Sequence, residues 1–183
     1  MADGTNIIGY HVNDEEKCEK FLKEDEYIIV CPDKLWLGRG MYFWDNDSNA
    51  NYWAKDKKKK VTSDLIKVKS NIYIDDMLDL SDLESLHFLN ELWLEYCRKE
   101  KCKTNVRLGM KLDRIFDYYE DLSENYNVLK CYGRYDRTPE AKFITCIGEY
   151  TGPIPTHEIK CILSVKEADC IKNRKKVEVI PNE

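Results

Sequence analysis

A glycine-bracketed turn feeding an aromatic strand, Leu37-Gly38-Arg39-Gly40-Met41-Tyr42-Phe43-Trp44, most limits what this chain can build. The two glycines permit a tight turn and close backbone approach. Met41 to Trp44 then has the composition of a strand. Asp45 to Ser48 is polar and suits a helix cap, and Ala50, Trp53 and Ala54 recur as in a helix from about Asn49 to Lys55. That helix is expected to bring a second tyrosine, Tyr52, near Tyr42.

The flanking segments supply the rest of a sheet. Asn6 to Val12 reads as a first strand, and Asn13-Asp14-Glu15-Glu16 has the form of a capping box before a short helix carrying Cys18, Phe21 and Leu22. Tyr27 to Cys31 is a β-branched apolar run expected to be a strand, with Pro32-Asp33-Lys34 as a turn. The lysine run Lys57 to Lys60 reads as a solvated turn, with a patch facing an anionic target as the alternative. Leu65 to Ile74 alternates as a strand.

Ser81-Asp82-Leu83-Glu84 is a second capping box. The helix behind it carries Leu86, Leu89, Trp93 and Tyr96 on one stripe, and a further helix spans Val106 to Ser123. Both stripes read as core. Beyond Asn125, Val128 to Tyr132, Phe143 to Ile147 and Ile159 to Val165 are candidate strands, Val177 to Ile180 is a candidate edge, and Gly152-Pro153-Ile154-Pro155 is a loop. Strands at both ends with helices at about 81–124 predict a single α+β domain over residues 1–183.

Composition narrows the function classes. At 43% hydrophobic and 34% charged residues, the chain can bury a sizeable core. A net charge of −5 gives no global footprint for nucleic acid or anionic membrane. No apolar run approaches spanning length and no secretory pattern opens the chain, so a cytoplasmic protein is expected. The 8 cysteines include no CxxC pair and only 3 histidines accompany them, so no metal site is expected and the thiols are expected to be reduced.

The segment Gly38 to Ala54, together with Tyr10-His11 upstream, resembles the His-Tyr branch of the ADP-ribosyltransferase superfamily, which includes the poly- and mono(ADP-ribose) polymerases. The likeness is densest where glycine, Tyr42-Phe43 and the helix Ala50-Asn51-Tyr52 follow one another. It implies a split antiparallel β-sheet core with a central helical layer, and NAD as co-substrate. The implied reaction transfers ADP-ribose to a macromolecular acceptor, a protein rather than a nucleic acid, and releases nicotinamide. The small size is similar to the ADP-ribosyltransferases of bacteria and phages, several of which act as toxins or in phage conflict.

Roles implied by the resemblance are specific. His11 would hydrogen-bond a ribose hydroxyl, Tyr42 would stack on nicotinamide, and Tyr52 would close the other face of that ring. Asn49 stands where the family often has a serine bonding the nicotinamide amide, with spacing one residue shorter than the pattern. Gly38 and Gly40 would shape the turn, with Arg39 near phosphate. The chain departs from the family at His11-Val12, where His-Gly is usual and the backbone of the second residue meets the amide. The third triad position, a glutamate in polymerising members, falls on Ile162 in one alignment, on Glu158 in another, and on Glu149 as a third candidate. A hydrophobic residue there is typical of mono-ADP-ribosyltransferases. The other readings are a catalytically weak module that binds NAD, ADP-ribose or a protein partner, and a nucleic-acid binder.

Overall fold

The computed structural model describes residues 4–135 and 156–178. The strand expected at Phe143 to Ile147, the loop at Gly152 to Pro155 and Glu149 lie outside the described residues, as does the end of the edge expected at Val177 to Ile180. The described chain is a mixed α+β fold built on a mostly antiparallel sheet of strand order β5-β6-β7-β3-β1-β4-β8, with β2 pairing β3 off that path.

The strands are β1 (Asn6–Asp14), β2 (Cys31–Asp33), β3 (Gly38–Trp44), β4 (Leu65–Tyr73), β5 (Met77–Asp79), β6 (Val128–Arg134), β7 (Ile159–Val165) and β8 (Ile171–Val177). The helices are α1 (Glu15–Lys23), α2 (Asp47–Lys58), α3 (Leu83–Lys99), α4 (Leu108–Tyr118) and α5 (Glu120–Asn125). The β5–β6 pair is parallel, so the three helices between those strands form its crossover.

Alternation along β3 divides the interior in two. Met41 and Phe43 join Phe21 of α1 with Val68, Ile72 and Leu163 in one core. Tyr42 and Trp44 pack against a second, made by Leu37, Leu129 and Ile162 with Leu89, Trp93, Leu112 and Ile115 of α3 and α4. A smaller cluster of Val12, Ala50 and Ala54 seats α2 against β1.

Several local expectations are corrected. Tyr27 to Val30 forms no strand, and pairing begins at Cys31 and includes Pro32 and Asp33. Asp33 then bends the chain itself, its Oδ1 accepting the N–H groups of Leu35 and Trp36 at 2.6 and 3.2 Å. The first capping box does not form: Asp14 caps α1 by position only, because its carboxylate accepts from Ser63 Oγ at 2.6 Å. At the second, Asp82 caps α3 by accepting the Ser85 N–H at 2.8 Å, so the carboxylate works without the Ser81–Glu84 reciprocity. The helix expected from Val106 to Ser123 breaks at Tyr119, whose backbone is extended (φ −104°, ψ 100°).

The turn into β3 is locked onto α4. Gly38 has φ +72°, and a Cβ there would lie 2.2 Å from Asp113 Oδ1 and 3.0 Å from the Gly109 carbonyl. Asp113 Oδ1 in turn accepts the Arg39 N–H at 2.7 Å. Left-handed backbone costs a side-chain-bearing residue about 1–2 kcal/mol before any clash. Gly38→Ala is therefore expected to lower unfolding stability by about 2 kcal/mol. Urea denaturation checks this, and an unchanged midpoint would remove the turn from the elements that fix β3.

Candidate functional site

A cleft opens where β1 leaves β3. The two strands share only the Tyr10↔Trp44 pair, whereas β1 pairs with β4 along its whole length. Beyond that point β1 and β3 diverge, and a cavity of about 320 Å³ occupies the gap, within the range of small-molecule sites. His11, Val12 and Asn13 line it from β1, Tyr42, Phe43 and Trp44 from β3, and Cys31 and Asp33 from β2. Trp53 and Lys57 of α2, Ile162 of β7, and the loop residues Trp36 and Tyr135 complete the wall.

His11 spans the gap. Its Nδ1 donates to the Tyr42 carbonyl at 2.6 Å. A carbonyl only accepts, so Nδ1 carries the proton and Nε2 is the bare nitrogen. Asn13 Nδ2 donates to that Nε2 at 3.2 Å, and Lys57 Nζ donates to Asn13 Oδ1 at 2.5 Å. Burial lowers the imidazole pKa to about 4, with the Tyr42 carbonyl opposing the shift and the Lys57 charge adding to it. The ring is therefore neutral at physiological pH.

Tyr42 offers the cleft a ring rather than an acid. Its hydroxyl donates to the Gly38 carbonyl at 2.7 Å and accepts the Leu37 N–H at 3.0 Å, so it staples the turn. Burial pushes its phenol well above the ordinary value. The remaining wall is aromatic. Trp36 stacks on Tyr135 with centroids 5.9 Å apart and planes 8° apart, and Trp44 meets the edge of Tyr135 at 5.8 Å. Trp44 also lies 6.4 Å from Trp53, tilted by 50°. Such a wall fits a flat heterocycle, with about 0.5–1.5 kcal/mol per aromatic pair beyond area burial.

Of the residues singled out in the sequence, His11, Val12, Tyr42 and Ile162 come together at the cleft, and the others do not. Tyr52 does not line it. At about 100° per residue it lies roughly 200° around α2 from Ala50, which seats the helix, whereas Trp53 and Lys57 lie on the seated side. On α2 it is thus Trp53, not Tyr52, that lines the cleft.

Asn49 is buried in the first turn of α2, its N–H on the Asn46 cap at 2.9 Å and its side chain bonded to Asp45. Gly38 and Gly40 shape the strand without reaching the cleft. Arg39 lines a separate hollow of about 230 Å³ and pairs with Asp113 and Asp117. Glu158 precedes β7 and pairs with Arg134 at 3.1 Å, outside the cleft.

Sequence reasoning missed Trp36, Trp53, Lys57, Tyr135 and Asp33. Only α2 carried a usable signal, because Ala50, Trp53, Ala54 and Lys57 recur at i, i+3, i+4 and i+7. Among the described residues no group of three or more His, Cys, Asp or Glu could hold a metal ion, and no helix is long and apolar enough to cross a membrane. The described cysteines are free thiols. No family model, curated protein or solved structure matches this chain.

The neutral imidazole has a measurable consequence. The unfolded chain protonates His11 near pH 6.5 and the folded chain only near pH 4. Stability from this group is therefore full above pH 6.5, declines as the pH falls, and levels off below pH 4. The loss is about 3 kcal/mol. His11→Asn, which keeps a donor for the Tyr42 carbonyl, should lose that much less between pH 6.5 and 4 in urea titrations. Equal losses in variant and wild type would mean that His11 is not held neutral.

Proposed function

We propose that this chain is an NAD-dependent mono-ADP-ribosyltransferase, transferring ADP-ribose from NAD to a macromolecular acceptor and releasing nicotinamide. One observation carries the reading. His11 and Tyr42, 31 residues apart in sequence, both line an aromatic cleft opened by the parting of β1 from β3, and the His11 ring is hydrogen-bonded to the Tyr42 carbonyl. In the His-Tyr branch that the sequence resembles, these residue types hold the ribose and the nicotinamide.

The chemistry asks little covalent work of the protein. The bond between ribose C1′ and the pyridinium nitrogen breaks, and its electron pair leaves with neutral nicotinamide. The acceptor nucleophile bonds to C1′ and loses its proton to solvent. The protein holds the ring, holds the ribose and favours the cationic sugar. Tyr42 and Trp53 supply ring faces. The bare Nε2 of His11 can accept a hydrogen bond from a ribose hydroxyl, which must displace or share with Asn13. Asp33 is the only carboxylate among the described lining residues, and its charge is of the sign a developing oxocarbenium needs.

A second reading, an NAD- or ADP-ribose-binding module with weak or no turnover, is favoured by Ile162. This apolar residue, 5% exposed and paired with Trp44 across β7 and β3, lines the cleft, and one of the sequence alignments puts it where a polymerising member has a glutamate. Nicotinamide release from labelled NAD separates the two. Release by the wild type, abolished in a His11→Ala/Tyr42→Ala variant, supports transfer. Calorimetric binding without release supports the module, and absence of both overturns the reading.

The aromatic contact has its own test. Trp53→Ala should weaken a nicotinamide mimic such as 3-aminobenzamide by about tenfold, given the worth of a stacked pair plus its buried area. Tyr52→Ala should change that affinity less than twofold. Equal effects from the two variants would put the ring elsewhere.

A further inference from the structure

Lys57 is the only lysine or arginine among the described residues that line the cleft. It sits one turn beyond Trp53, on the side of α2 that faces β1. Its neighbours in the lysine run turn elsewhere: Lys58 reaches Asp64 and the Ser63 carbonyl, and Lys60 pairs with Asp56. Lys67, also close to α2, is satisfied by Asp47 at 2.6 Å and Asn51 at 2.8 Å.

The surroundings of Lys57 are unusual for a lysine that is only 20% exposed. Its short contact is a neutral amide, Asn13 Oδ1 at 2.5 Å. The nearest carboxylate, Asp14, stands 3.9 Å away and is shared with Ser63 at 2.6 Å and Lys17 at 3.6 Å. A mostly buried ammonium whose nearest carboxylate is 3.9 Å away and shared with two other groups is only partly compensated. It has three N–H donors, and Asn13 and Asp14 occupy at most two. The remaining donor capacity sits beside a wall of indole and phenol rings, where a charge interacts more strongly than in water.

We propose that Lys57 is the anion anchor of the cleft, seating the diphosphate of a nucleoside-diphosphate ligand while the aromatic wall takes the flat rings. This rests on the dinucleotide reading above and adds to it the residue that recognises the charged middle of the ligand. Lys57 also grips Asn13, which fixes the amide that donates to His11 Nε2. The ammonium therefore couples diphosphate binding to the orientation of the imidazole.

Calorimetry on wild type, Lys57→Met and Lys57→Arg with three probes tests the assignment: ADP-ribose, ADP and uncharged nicotinamide. In Lys57→Met, ADP-ribose and ADP should bind at least tenfold more weakly and lose most of their salt dependence, and nicotinamide should bind within twofold of wild type. Lys57→Arg should stay within threefold for all probes. Thermal melts establish that the variants are folded, and Lys57→Gln replaces the methionine variant if that one is not. Unaltered ADP-ribose binding in Lys57→Met overturns the proposal, and so does an equal loss for nicotinamide, which would reduce Lys57 to a support for Asn13. Wild-type binding of ADP without binding of nicotinamide or NAD leaves the anchor standing and removes the transferase reading. Wild-type binding of neither ADP nor ADP-ribose removes both.

Discussion

The bond from His11 Nδ1 to the Tyr42 carbonyl is the contact on which the rest of this site depends. A sheet that opens between two of its strands leaves backbone groups without ladder partners, and an unsatisfied buried carbonyl costs about 1–3 kcal/mol. A side chain satisfies this one. The same contact fixes the tautomer and turns Nε2 toward Asn13, while burial, against the pull of that carbonyl, keeps the ring neutral. The gap is thus held open with one of its carbonyls paired. A lysine in place of His11 would bring an unpaired charge into the same setting, and a leucine would leave the carbonyl bare.

The parts of the fold visible in the sequence were those governed by local period. Alternation located β4, strand-like composition located β1, β6 and β7, and β7 has the expected bounds Ile159–Val165. Helical spacing located α1 and α3. What it did not reveal was decided by partners. Tyr27 to Val30 has strand composition but makes no strand pairing: Ile29 sinks into the first core as irregular chain, its N–H on Met41 Sδ at 3.5 Å. Met77 to Asp79 is too short to show a period and is a strand only because Val128 to Lys130 lies alongside. The break at Tyr119 has no glycine or proline to announce it. Of the residues the sequence singled out, His11 and Tyr42 line the cleft and Tyr52 does not. A motif spacing one residue short rotates a helix by about 100°, enough to exchange Tyr52 for Trp53. Trp36 and Tyr135 reach the cleft from loops, where no period exists to read.

Charge follows the same division between local and tertiary control. The chain is acidic overall, with a net charge of −5, yet two lysines near α2 are drawn inward. Lys67 is 1% exposed and bound by Asp47 and Asn51 from the first turns of α2, so it ties that helix to β4. Arg174 does comparable work for α1. Its guanidinium donates to the carbonyls of Phe21, Glu24, Asp25 and Tyr27 and stacks over Phe21 at 4.2 Å, closing the irregular chain that follows the helix. The remaining charges on β8, Lys172, Lys175 and Lys176, sit on the last strand of the sheet order, where cations discourage further strand pairing.

Ile162 brings these threads together. It packs with Leu129 and Leu37 in the second core while touching the cleft, so the wall opposite His11 is apolar. A carboxylate at that position would have to be desolvated among those side chains, at a cost a nearby cation alone would not offset. The architecture therefore concentrates the polar chemistry of the cleft on the β1–α2–β2 side, at His11, Asn13, Lys57 and Asp33, and leaves the β3–β7 side for ring packing. A ligand matched to such a cleft has flat, weakly polar surface along one flank and charge along the other. Under the function proposed above, that asymmetry would set the rings of a dinucleotide against Tyr42 and Trp44, with Trp53 adding a ring from α2, and its sugar and phosphate toward His11 and Lys57.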